Sequence, residues 1–201
     1  MAKPPKLGLR PGNERDILAA RWEIEHEEVF HLKNLYKVMF EWLLEEGYSD
    51  MFIKGNNNFE NLYYERILQG GDKEHHIWWR CQLVPSDNGY YRYVLKIDFQ
   101  TLTMGTKEIM HQGMKFKTYE GDLILRCEAW IQLDYKNEWE NHWLLKYFDE
   151  AYRKRLYKKN VEIYKQDLYN TAYRLQTFVK EFLMLKSPIE MPHPFHPQKG
   201  I

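Results

Sequence analysis

Five positive charges fall within seven positions at Arg153, Lys154, Arg155, Lys158 and Lys159, with Tyr157 set among them. Basic side chains at this density can neutralise phosphates, and an interleaved aromatic ring can stack on a base. This tract is the strongest binding motif in the chain. An overall pI near 7.1 weighs against a dedicated nucleic-acid module, whose footprint is strongly basic. Pairing of the tract with acids elsewhere in the chain is the competing explanation.

Other residues capable of chemistry are less favourably arranged. His75 and His76 are neighbours in a strand pattern, so their rings point to opposite faces and make a poor metal pair. Glu27 and His31 have four-residue spacing but no third ligand, and His193 and His196 fall in a proline-rich stretch. Cys81 and Cys127 fit no metal-ligand spacing and read as buried free thiols. Asp98 and Glu128 sit on polar strand faces. No phosphate-binding glycine loop, nucleophile elbow, HExxH or CxxC occurs. The expectation is therefore no catalytic residue, no metal and no cofactor, which leans away from an enzyme.

The elements that must position these residues fit one domain. The chain has 201 residues, 44% hydrophobic and 29% charged, enough to bury a single core. Residues 1–12 hold three prolines and two glycines and read as a flexible lead. Residues 13–187 read as an α+β domain, and 188–201 as an irregular proline-rich tail. No stretch approaches the ~20 apolar residues of a membrane span, and no apolar leader is evident. These features predict a cytoplasmic protein with no membrane contact.

Leu18, Trp22, Val29, Leu32, Tyr36, Met39 and Leu43 follow a four-three spacing that only Glu25 interrupts. This predicts a helix from about 14 to 46, capped by Asn13, stopped at Gly47 and breakable near Glu23–Glu28. The period then becomes two. Strands are expected over 59–69, 75–84, 91–100, 107–118 and 123–134, with turns at Gly70-Gly71-Asp72, Pro85–Gly89 and Glu120-Gly121-Asp122. A second four-three stripe runs through Val161, Tyr164, Leu168, Thr171, Leu175, Phe178, Phe182 and Leu185, in a helical segment from Asn137 to Leu185. The tract 153–160 blurs that stripe and marks a joint. The sum is an antiparallel sheet of about five strands, flanked by a long N-terminal helix and a long C-terminal helical segment.

Three functions compete. The leading one is a non-catalytic interaction or assembly protein, joined to a partner protein or a second copy through its long amphipathic helices. Trp22, Val29 and Tyr36 would form the contact stripe. Ten acids against four bases over 14–50, and nine bases against three acids over 151–186, would orient the chains. For the second, the order of helix, antiparallel sheet and long C-terminal helix resembles helix-grip proteins at the level of fold, although no leading strand is expected. That resemblance implies a small hydrophobic ligand, bound or converted, between the sheet and the C-terminal helix. The third is a nucleic-acid- or ribosome-associated factor acting through 153–159.

Overall fold

A computed structural model describes residues 8–10, 13–53, 55–85, 89–111 and 114–184, and at 109–111, 114–117, 154 and 156 the backbone alone. The proline-rich stretch 188–201, most of the lead and the centre of the Pro85–Gly89 turn lie outside the described residues. The elements are β1 (Asp16–His26), β2 (Val29–Phe30), α1 (Leu32–Glu45), β3 (Ser49–Asp50), β4 (Glu60–Ile67), β5 (Lys73–Leu83), β6 (Tyr91–His111) and β7 (Met114–Leu133), then α2 (Glu138–Asn141), α3 (Leu145–Ala151), a π-helical turn (Tyr152–Leu156) and α4 (Lys158–Phe182). They form an α+β fold on one antiparallel sheet of order β1-β7-β6-β5-β3, with β2 beside β7 and β4 beside β5.

The helix expected over 14–46 does not exist over its first half. β1 places Ala20, Trp22, Ile24 and His26 inward and Arg21, Glu23 and Glu25 outward, a period of two. The four-three series had already failed at Glu25, where alternation does not. Antiparallel pairing with β7, Trp22 opposite Cys127, supplies the ladder hydrogen bonds, so a neighbour distant in sequence decides the element. Asn13 caps a turn rather than a helix, its Oδ1 accepting from the Arg15 N–H. The true helix start is His31, whose Nδ1 accepts from the Asn34 N–H at 3.2 Å. Its end is Gly47, at φ 85°. Over its 14 residues α1 buries Leu32, Leu35, Met39 and Leu43, the second half of the expected stripe. It is about 20 Å long, so the overhang that a 33-residue helix would have had is gone.

Residues 91–111 form one strand and 114–133 another, not three, and they pair along almost their whole length. Glu120-Gly121-Asp122 is not a turn. There β6 bulges, its register shifting between Leu102 and Gly105 with Thr103 at φ 49°. A Cβ on Gly121 would lie 2.8 Å from the Thr103 carbonyl oxygen and 2.9 Å from that of Leu102. Glycine is required by close backbone approach, a signal easily mistaken for a turn. The Gly70-Gly71 turn is where the sequence puts it, with both residues at positive φ.

α1 and α4 lie on the same face of the sheet. Trp42 stacks on Phe178 with centroids 6.3 Å apart, and Arg174 donates to Glu46 at 2.7 Å. Between helices and sheet, the alternating residues read as core are buried: Ile77, Trp79 and Cys81, then Tyr91 to Phe99, then Leu123 to Leu133. Leu168, Ala172, Leu175 and Val179 of α4 press on them, and the Trp22 indole donates to the Ala172 carbonyl oxygen at 2.9 Å. Each fully buried Leu, Ile, Val or Phe among them stabilises the fold by about 1.5–3 kcal/mol. The opposite face carries ion pairs, including Arg80 with Asp98 at 2.6 Å and Arg126 with Glu23 at 2.8 Å. Both cysteines are buried free thiols.

Candidate functional site

The inner face of the sheet continues past the first turn of α1, and polar residues replace apolar ones there. On β5, Lys73 and His75 precede Ile77 and Trp79 on the same side. On β4, a bulge between Glu60 and Leu62 brings Glu60 onto the face shared by Tyr63 and Glu65. α1 supplies Leu32, Lys33 and Tyr36, and β7 supplies Tyr119. Together these residues line a cavity of about 360 Å³, within the range of small-molecule sites.

Its floor is aromatic. The Tyr36 ring meets Trp79 edge-on at 4.8 Å, and Phe40, Phe59 and Phe99 pack around the same indole. This cluster fixes Tyr36 so that its hydroxyl donates to Glu60 Oε2 at 2.6 Å. Burial, and then the Glu60 hydrogen bond, push the Tyr36 hydroxyl well above the ordinary tyrosine range, so it stays a donor. Glu65 Oε1 accepts from Lys73 Nζ at 2.6 Å; that bond holds the Glu65 carboxyl below, and the Lys73 ammonium above, their usual ranges. His75 is 6% exposed. Its backbone N–H donates to Thr101 Oγ1 at 3.0 Å, and its Nδ1 lies 2.8 Å from the same oxygen. The Thr101 hydroxyl can then donate to Nδ1, leaving Nε2 as the protonated nitrogen, 3.6 Å from Glu65 Oε2. Burial pulls the imidazole below its usual value, which makes it neutral at pH 7. Burial also raises the Tyr63 hydroxyl. The cavity thus offers hydrogen-bond donors, carboxylates and tyrosine faces. Among the described residues, no group of three or more His, Cys, Asp or Glu is placed to hold a metal. The Tyr36 hydroxyl on Glu60 and the Lys73 ammonium on Glu65 hold two of these carboxylates in place, an arrangement that can orient a bound ligand.

The sequence-expected residues are scattered. Trp22 is in the core under α4, Val29 is half-buried in β2, and Tyr36 alone lines the cavity. With two of the three on strands, they form no helical stripe. In the basic tract, Arg153 is largely covered and bonded to Asp149 at 3.0 Å and Glu14 at 3.4 Å. The Lys154 side chain lies outside the described set. Arg155, Lys158 and Lys159 are exposed. Tyr157 is buried among Tyr90, Tyr152 and Tyr164, so its ring is not free to stack on a base. The joint expected near 153–160 is the π-helical turn and the break at Tyr157 before α4.

Sequence reasoning missed Lys33, Glu60, Tyr63, Glu65, Lys73, His75 and Tyr119 as a group. One signal was present: polar residues replace apolar ones on the inward parity at the start of β5. It also missed an apolar surface on the connection to α4, where Trp143 and Tyr147 are 75% and 74% exposed beside Leu144 and Phe148. Compared with known proteins, the chain matches no family, no characterised relative and no solved structure. No helix of the described residues is long and apolar enough to cross a membrane.

Proposed function

We propose that this chain is a small-molecule-binding domain of helix-grip type, with the ligand seated under the first turn of α1. The carrying observation is the cavity itself, where polar groups from α1, β4, β5 and β7 converge on a fixed aromatic floor. The order strand, helix, antiparallel sheet and long C-terminal helix supports the helix-grip comparison, because β1 supplies the leading strand that the sequence did not suggest. The cavity differs from the expectation in position, at α1 rather than α4, and in character, being mixed polar and aromatic. Ligand-observed NMR with a fragment mixture tests the proposal. Hits should compete with one another and disappear in Tyr63→Ala, whose half-exposed ring can be removed with little change in melting temperature. Hits indifferent to Tyr63→Ala would place the site elsewhere.

A second reading, the interaction or assembly protein, draws support from the exposed Trp143, Leu144, Tyr147 and Phe148, since large exposed apolar patches mark contact surfaces. Light scattering on the wild type and on Trp143→Ser/Tyr147→Ser tests it. A monomer at high concentration in both would remove self-association, leaving only a different partner. The nucleic-acid reading retains, among the described side chains, the exposed Arg155, Lys158 and Lys159, with the Tyr157 ring buried at their centre.

A further inference from the structure

Resting on the pocket proposed above, the class of its ligand follows from which charges around it lack a counter-charge. Glu65 is neutralised within the chain by Lys73, and His75 is neutral. Glu60 and Lys33 differ. The Glu60 carboxylate accepts from the uncharged Tyr36 hydroxyl, and neither Glu60 nor Lys33 forms an ion pair among the described residues. Lys33 and Tyr36 are three apart on α1, which puts their Cβ atoms roughly 5–6 Å apart on one helix face. An ammonium and a carboxylate therefore line the same cavity, with the Tyr36, Tyr63 and Tyr119 rings and the Leu32 and Ile77 side chains.

A neutral ligand filling this space would take water from the half-buried Glu60 and, in part, from the exposed Lys33 and return nothing, and an ion of either sign would compensate only one. We infer that the pocket takes a small zwitterion with an aromatic or apolar body. Its cationic group sits against Glu60 and the tyrosine faces, and its acidic group against Lys33. Tyrosine faces suit cations electrostatically, and charge-assisted hydrogen bonds are the stronger kind.

Four probes of matched ring and reach test this by calorimetry on the full chain: phenylalanine, 2-phenylethylamine, 3-phenylpropionate and 2-phenylethanol. Phenylalanine should bind about tenfold or more tightly than any of the others. Glu60→Gln should weaken phenylalanine to the level of 3-phenylpropionate, and Lys33→Met to the level of 2-phenylethylamine, each with an unchanged melting temperature. Either half-ligand binding as tightly as phenylalanine, or both substitutions without effect on it, overturns the zwitterion while leaving the pocket in place. Binding of 2-phenylethanol alone does the same. No binding by any of the four, together with fragment hits that ignore Tyr63→Ala, overturns the pocket as well.

Discussion

Where β1 begins, Arg15 lies among Asp134 at 3.4 Å, Glu140 at 2.9 Å and Asp149 at 2.7 Å, and Asp149 also takes Arg153 and the Tyr90 hydroxyl. Close by, Arg92 donates to Gln132 at 2.8 and 2.6 Å and to Gln82, while Gln132 donates to Asp16 and to the Gly8 carbonyl oxygen. At the other end of β7, beside Tyr119, Glu60 and Lys33 face a cavity without a counter-charge. Both ends gather charge, but at one end it is closed among protein partners and at the other it is open, with Glu60 half-buried and Lys33 exposed at the cavity. In the closed network Arg15 and Arg153 meet carboxylates and Arg92 is held by two glutamine oxygens, so its role is to tie α2, α3 and the π-helical turn to the sheet. A ligand could only compete with those bonds. Open groups keep their capacity for something else, which is what a binding site needs.

Asp149→Asn should break this contrast most severely. Burial would raise the Asp149 carboxyl, but the hydrogen bond and charge of Arg15, and then Arg153, outweigh it and hold the group below the usual carboxylate range. Removing its charge takes one of three carboxylates from Arg15 and one of two from Arg153, at about 3 kcal/mol in denaturant titrations at pH 7. Since the folded pKa is depressed, the wild type's advantage is present above the unfolded value of about 3.9 and fades as pH falls through and below it. A loss that does not shrink in acid would mean the carboxylate is not the stabilising species.

Gly121→Ala acts next to the open end. Its Cβ would meet backbone oxygens that cannot swing aside, so a loss of about 1–3 kcal/mol is expected. Its amide cross-peaks should shift along Thr103–Met104 and at Tyr119, sparing the Arg15 network. Shifts spread evenly over both ends would show that the two are not independent.

His75→Gln tests the neutral imidazole. As pH falls through about 6.5 the unfolded chain takes up a proton that the folded His75 resists, so wild-type stability drops, by up to about 1.4 kcal/mol per pH unit for one group. His26, also lowered by burial, adds to the same slope. The glutamine variant should lose one of the two contributions, so its stability curve between pH 7.5 and 5 should be flatter. An identical slope would place the His75 proton elsewhere.

Glu60→Gln should have the smallest effect on stability, within about 1 kcal/mol, because the amide oxygen still accepts from Tyr36 and no ion pair is lost. A loss comparable to that of Asp149→Asn would make Glu60 a structural residue and remove the distinction between the two ends.

Much of the sheet was legible without coordinates. Strict alternation in 75–84, 91–99 and 123–134 is readable because one face is buried against helices, and a one-residue slip would invert it. The stripe on α4 was readable for the same reason, at a period of 3.6. Other features were not. Residues 16–26 support two periods at once, and only β7, about a hundred positions later, selects one. Gly121 looks like any glycine in a turn until the bulge of β6 is seen against it. Glu60, Tyr63, Glu65, Lys73, His75 and Tyr119 are ordinary strand residues one at a time, and a bulge, a register and a helix terminus bring them together.

By itself, then, the chain's sequence determined an antiparallel sheet with one apolar face, a helix ending at Gly47, a long amphipathic C-terminal helix and two unbonded cysteines. These rest on local periodicity and on backbone preferences that act over a few residues. The tertiary structure alone decided that residues 16–26 form a strand, that two long strands replace three, that Tyr157 turns inward and Trp143 outward, and where a cavity opens. Each of those depends on contacts between residues far apart in sequence, and their free energies are set by the partner rather than by the residue.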